Sequence, residues 1–361
     1  MDNFKVDIAR ESDDLGIRTL LDNNPVPGKI SLLYQKNPSY FQASDVASKY
    51  SNTIVIKNNQ KDVVAVQTTA IRDLYLDRQK RQIAYLSNLR VDKKYQGQRI
   101  LKEGFELLKK IYPKFETPFL FSTIIAGNSK LTKKRKDGLQ FECYGNYHTK
   151  LVILHKKKKN IDERYKIIRG SRELLEDIVV FLQKEGSKKN LYPVFDYNDF
   201  IRGDLFKDFD IKDFYVAMDN DEIVGVVGKW DQNKFKQNTV VEYNGIYKYR
   251  KIYNSLSKFY KMPQLPKIDE TINFAYISFI ATKDNDPNIF SNLLKAVYND
   301  NIDSKYLYLA LGLHENDPLL GVGKDFRCIN YTSKLYFNYW QKPEMLYNFD
   351  IGIPYIELAT L

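Results

Sequence analysis

The stretch Tyr85-Leu86-Ser87-Asn88-Leu89-Arg90-Val91-Asp92-Lys93-Lys94-Tyr95-Gln96-Gly97-Gln98-Arg99-Ile100-Leu101 decides how this chain is read. Residues 83–91 have the apolar and β-branched content of a strand, and residues 92–97 form a polar loop ending at a glycine. Leu101, Phe105, Leu108 and Tyr112 then follow at i, i+4, i+7 and i+11, the spacing of one helix face. Working outward, residues 53–57 and 63–75 read as strands joined by the turn Asn58-Asn59-Gln60-Lys61, a hairpin signal. On the other side, residues 119–125 read as a strand. Asn128 caps a short polar helix ending near Gly138, and residues 147–154 close the half as a strand.

The second half repeats this order. Residues 165–169 read as a strand, 173–182 as a helix, and 214–218 pairs with 223–230 across Asn220-Asp221. Ala84-Tyr85-Leu86-Ser87-Asn88-Leu89 is then matched by Ala275-Tyr276-Ile277-Ser278-Phe279-Ile280. Each hexapeptide precedes a helix and then an aromatic-rich strand, 119–121 in one case and 306–309 in the other. A repeat of this length points to two copies of one fold rather than to a solenoid, whose repeats run about 20–50 residues. The expected fold class is mixed α/β. The expected domains are residues 1–156 and 165–361, separated by the run HKKKKNIDER at 155–164.

Length and composition agree: 361 residues are about two domains at roughly 150 residues each. The 43% hydrophobic and 28% charged content is that of a folded chain. No apolar run approaches the ~20 residues of a membrane span, and the N-terminus lacks the order of a signal peptide, so a cytoplasmic protein is expected. Cys143 and Cys328 lie far apart, and His148, His155 and His314 are the three histidines, which argues against a metal site or redox pair. The net charge of +11 is unevenly placed. Residues 1–159 carry 30 lysines and arginines against 16 acidic residues, the remainder 26 against 29. An anionic ligand for the first half or a solvated basic face both account for this.

The 85–101 stretch resembles the acyl-CoA-binding segment of the GNAT superfamily of N-acetyltransferases, where a strand ends in a loop of the form R/Q-x-x-G-x-G/A that opens a helix. The physics suits that order, because a helix N-terminus has unpaired N–H groups and partial positive charge on which a pyrophosphate can rest. Gln96, Gly97, Gln98, Arg99, Ile100 and Leu101 would supply that cradle. Both glycine positions of the pattern differ here, holding Arg99 and Leu101, while Gly97 beside them is a glycine. Lost glycines narrow the room for phosphate. Arg99 can offset this by pairing with phosphate oxygens, and the alternative reading is a site without its cofactor.

The whole chain is also similar to a bacterial family of tandem GNAT proteins. The matching pieces are Pro25-Val26-Pro27-Gly28, Pro38-Ser39-Tyr40-Phe41, Leu89-Arg90-Val91, and Thr123-Ile124-Ile125 with Asn128. Gly138-Leu139 through Tyr144 and Thr149, and residues 312–320 (GLHENDPLL), complete the set. The resemblance implies two GNAT-like domains, each a mixed, mostly antiparallel sheet flanked by helices. It implies acetyl-CoA or another acyl-CoA as cofactor, held by main-chain groups of Asn88, Leu89, Arg90 and Val91 and by Asn128. The acceptor would be a small-molecule or peptide amine.

Transfer to an amine needs a base for its proton, an acid for the leaving thiolate, and main-chain donors for the oxyanion. The superfamily's usual acid is a tyrosine in the helix after the fifth strand. Residues 129–136 contain none, which leaves Tyr144, Tyr147 and His148 as the candidates. Glu142 or a water chain remains for the base. The loop after Ile280 carries Asp284 and Asp286 where phosphate should bind, so the second copy is expected to hold no acyl-CoA. His314 and Glu315 are a candidate wall of the substrate site. A non-catalytic binding module is the competing function. Nucleic-acid binding through Lys130, Lys133, Lys134, Arg135 and Lys136 is the weaker third reading, since no aromatics interleave with that cluster.

Overall fold

The computed structural model describes residues 4–46, 48–97, 100–115, 117–126, 138–159, 162–203, 205–259 and 264–361. In these residues the strands are β1 (Lys5–Ile8), β2 (Ile30–Gln35), β3 (Tyr50–Lys57), β4 (Val63–Leu76), β5 (Gln79–Val91), β6 (Leu120–Ile125) and β7 (Gln140–Ile153). The second half contributes β8 (Lys166–Arg169), β9 (Phe214–Asp219), β10 (Glu222–Trp230), β11 (Gln237–Tyr243), β12 (Phe274–Thr282), β13 (Tyr308–His314) and β14 (Cys328–Tyr339). The predicted turns have clear local causes. At the β3–β4 turn the Asn58 side chain accepts from the N–H groups of Gln60 and Asp62 at 3.0 and 2.9 Å. Asn220 and Asp221 both take positive φ, the geometry a two-residue hairpin demands.

Twelve strands form one mixed sheet in the order β1-β3-β4-β5-β6-β14-β7-β13-β12-β10-β9-β8. The order is symmetric about its middle. β5 runs parallel to β6 and β12 parallel to β13, and every other neighbouring pair is antiparallel. The last strand of each half is exchanged: β14 pairs with β6, and β7 pairs with β13. This is why β7 begins at Gln140, earlier than the sequence pattern suggests, since residues 140–143 find partners on β14. A separate ribbon joins β2 to β11, one strand from each half.

The helix Ile100–Ile111 buries Ile100, Phe105 and Leu108 against β3, β4 and β5. Its expected face holds at Phe105 and Leu108, while Leu101 is half-buried and Tyr112 lies in the following 3-10 turn. In the second half the helix Pro287–Asp300 packs Ile289, Phe290, Leu293, Leu294 and Val297 into a larger core.

Candidate functional site: a cavity at the β5–β6 fork

β5 and β6 are joined as parallel neighbours at Ala84–Leu120 and Tyr85–Phe121, with no further pairing between them. On its other side β5 carries a bulge: Val66 faces Arg90 but Thr68 faces Ser87, so Asn88 and Leu89 stand against Gln67 alone. Asn88 sits at φ 55°, a left-handed conformation that asparagine tolerates better than most residues. The bulge turns the β5 backbone just where the fork opens.

A cavity of about 530 Å³ fills the fork. Residues 85–90 and 122–125 form one wall, and the opposite side is built by Tyr34, Lys36, Lys236, Asn238 and Tyr276, with Leu358 and Leu361 of the last turn. Among the described residues the lining has no aspartate or glutamate side chain and three basic ones, Lys36, Arg90 and Lys236. Burial, reinforced by the nearby Lys236, holds the Lys36 ammonium well below the usual lysine range. Burial and then the charge of Arg72 bring Lys236 down to about 7. Arg90 is likewise lowered by burial.

Of the residues read as the cofactor site, Asn88, Leu89 and Arg90 line this cavity, and Val91 continues the strand. Gln96 and Gly97 are exposed in the loop before the helix. Gly97 has φ 86°, and a Cβ built there meets nothing within 4 Å. The side chain of Ile100 is 1% exposed among Val64, Ala65 and Ile56, so its main chain alone faces the loop. Leu101 packs beside Leu89 and Phe105. Gln98, Arg99, Asn128 and the basic run 130–136 lie outside the described residues.

The corresponding place in the second half is filled. β12 and β13 pair at 274–276 with 308–310, and β12 bulges where Phe279 and Ile280 stand against Val227. Phe279, also at φ 55°, is fully buried and stacks on Trp230 at 5.8 Å, amid Phe195, Phe200, Phe206, Phe209 and Phe214. The bulge's N–H groups are taken. Phe279 donates to Glu357 at 2.8 Å and Ile280 to the Tyr355 hydroxyl at 3.2 Å, which in turn donates to Glu357 at 2.8 Å. Asp286 caps the next helix through the Asn288 N–H at 2.7 Å, with Pro287 in the first turn, so that helix start is closed by its own side chain.

The three acid candidates lie away from the lining. All three lie on β7, with β14 between it and β6, and of the described β7 residues Phe141 is the one in the lining. Tyr144 stacks on Phe337 at 4.2 Å, and burial followed by the charge of Glu142 pushes its hydroxyl up to about 12. His148 Nδ1 is 3.4 Å from the Thr332 hydroxyl. Tyr147 is buried, donates to the Ile356 carbonyl at 2.8 Å, and occupies the space a side chain at Gly312 would need. A Cβ at Gly312 would fall 2.0 Å from the Tyr147 hydroxyl oxygen. Gly312→Ala is therefore expected to cost about 1–3 kcal/mol, seen as a lower midpoint in urea unfolding. Glu142 accepts from Tyr339 at 2.6 Å and Lys342 at 2.9 Å, also outside the lining. His314 Nε2 lies 2.8 Å from the Tyr144 carbonyl, and Glu315 accepts from the Asn146 backbone, which ties β13 to β7.

Sequence reasoning passed over Lys36, Lys236, Asn238 and the last turn. Tyr34 and Lys36 close the alternating run 30–36, and residues 239–241 are β-branched, so each strand is legible. Their pairing across about 200 residues leaves no local trace.

No family model matches the sequence, and no curated protein sequence matches it. Solved structures do. N-myristoyltransferase of Saccharomyces cerevisiae with bound myristoyl-CoA aligns at a TM-score of 0.61 and 12% identity, over 94% of this chain and 84% of that one. A second structure of the yeast enzyme with myristoyl-CoA aligns at 0.60 and 12%, over 94% and 80%. A GCN5-related glucosamine N-acetyltransferase region of a fungal multi-domain β-N-acetylglucosaminidase aligns at 0.60 and 13%, over 94% of this chain and 38% of that one. The chain thus has the fold of GNAT-type N-acyltransferases.

Proposed function

We propose that this protein is an acyl-CoA-dependent N-acyltransferase whose reaction takes place in the first half, at the β5–β6 fork. The observation that carries the reading is the pairing of an open fork with a bulged β5, set directly before a helix start, when the equivalent fork of the other half is closed by Phe279 and Glu357. The residues fit the group: the bulged main chain of Asn88, Leu89 and Arg90 runs along the cavity and continues into Val91, and Gly97 leaves open space at the helix entrance. Gln98, Arg99 and Asn128 belong to the same proposal. Bound acyl-CoA supplies a thioester whose C–S bond breaks as the acceptor's N–C bond forms, the amine's proton ending on the freed thiol. Acetyl-CoA is the proposed donor and a small-molecule or peptide amine the acceptor. Domains 1–156 and 165–361 are proposed as two copies, the second binding no acyl-CoA and walling the acceptor side.

Calorimetry with acetyl-CoA is the test. Binding is expected, weakened by charge reversal at Arg99, and absence of binding at millimolar ligand overturns the reading. A second reading, acyl-CoA binding without turnover, is favoured by one observation: Tyr144, Tyr147 and His148 lie outside the cavity lining. Binding without thiol release across a broad amine panel supports it.

A further inference from the structure

We propose that the acceptor amine at this fork carries an anionic group, a carboxylate or a phosphate, seated between Lys36 and Lys236. The inference rests on the acyl-transfer reading and adds the class of acceptor. The ribbon of β2 and β11 ends at the pair Gln35–Gln237, and one step beyond that pair come Lys36 and Lys236. They come from opposite halves of the chain, yet both face the same cavity. Like charges in this relation repel, and among the described residues no ion pair neutralises either one.

Each ammonium has three donors. Lys36 spends one on the Ser44 hydroxyl at 2.8 Å and lies over the Tyr40 ring at 4.6 Å. Lys236 spends one on the Ala359 carbonyl at 2.9 Å. Donors remain on both, and both residues line a cavity that contains Arg90 and, among the described residues, no aspartate or glutamate side chain. Two ammonium groups buried side by side are unfavourable on their own, and the acidic groups that act on them, Asp45 on Lys36 and Glu357 on Lys236, form no direct ion pair with either among the described residues. An anion between them satisfies both, and charge-assisted hydrogen bonds to it are the strong kind. The depressed proton affinities of both lysines agree with a seat built for a charge that is not part of the chain.

The test uses matched probes: glycine against glycinamide, and O-phosphoethanolamine against ethanolamine. Each is titrated calorimetrically into the full chain, alone and with saturating CoA, and each is offered as acceptor with acetyl-CoA. The anionic member of one pair is expected to bind, and to be acetylated in kcat/KM, at least about tenfold better than its neutral twin, the worth of one charge-assisted bond. The first pair reports a carboxylate, the second a phosphate. Lys36→Met and Lys236→Met should each bring the ratio toward one, and Lys236→Arg should restore part of it, with circular dichroism confirming that all three fold. Equal binding and equal use within both pairs overturns the proposal, as does an unchanged ratio in both methionine variants. Failure of acetyl-CoA to bind, with the glycine or phosphoethanolamine preference intact, overturns acyl transfer and leaves the anion seat standing.

Discussion

Glu357→Ala is expected to unfold at a much lower urea concentration than the parent chain, with a loss of at least about 3 kcal/mol. The carboxylate is 2% exposed and accepts from the Phe279 N–H, the Tyr355 hydroxyl and the Ala359 N–H. Alanine strands all three donors, at about 1–3 kcal/mol each, in a protein whose whole stability is of order 5–15 kcal/mol. Glu357→Gln keeps an acceptor oxygen and should cost roughly 1–2 kcal/mol. Burial, opposed by these hydrogen bonds, raises the Glu357 carboxyl above its ordinary range. A raised carboxyl favours the fold while it is protonated. Its contribution is complete below the unfolded-state value and is lost as pH climbs through the folded one. Stability of the parent should therefore fall with rising pH across that window more steeply than stability of Glu357→Gln, measured as urea midpoints at a series of pH values.

Asn88→Phe is expected to raise the Kd for acetyl-CoA by at least about a hundredfold, roughly 2.7 kcal/mol. The substitution gives the open fork the side chain that its counterpart already holds at Phe279, on a backbone with the same φ of 55°. In the second half that ring is packed away among aromatics. In the first half it projects into the cavity that residues 85–90 line. A left-handed φ costs phenylalanine about 1–2 kcal/mol, so the variant should melt somewhat lower yet remain folded. Calorimetry and circular dichroism on the same preparation separate the two effects. Unchanged affinity would mean that the ligand lies elsewhere.

The sequence is most legible where structure is local. The 85–101 stretch gives strand, loop and helix in order, and the repeated hexapeptides 84–89 and 275–280 place Asn88 and Phe279 at matching bulges. The hairpins at Asn58 and Asn220 follow from turn chemistry. Long-range pairing is not written in this way. Nothing around Gln140 or Cys328 tells that β7 and β14 trade places, because a strand's pattern records which faces are buried and not which neighbour it meets. Tyr144, Tyr147 and His148 lie on β7 beyond β14 and outside the cavity lining. The two lysines went unread for a similar reason, since each is an ordinary strand-end residue until the ribbon sets them opposite each other.

The exchanged strands also govern how the chain can be made. β6 meets its outer neighbour only when residues 333–338 arrive, and Ser122 waits for a partner 216 positions away, the Asn338 side chain at 2.8 Å. During synthesis the emerging first half therefore carries an unsealed strand edge until residues 333–338 have left the ribosome. Such edges invite pairing with other nascent chains. Cutting the protein near residue 160 separates each half from its closing strand, so the two fragments should be recovered soluble only when expressed together.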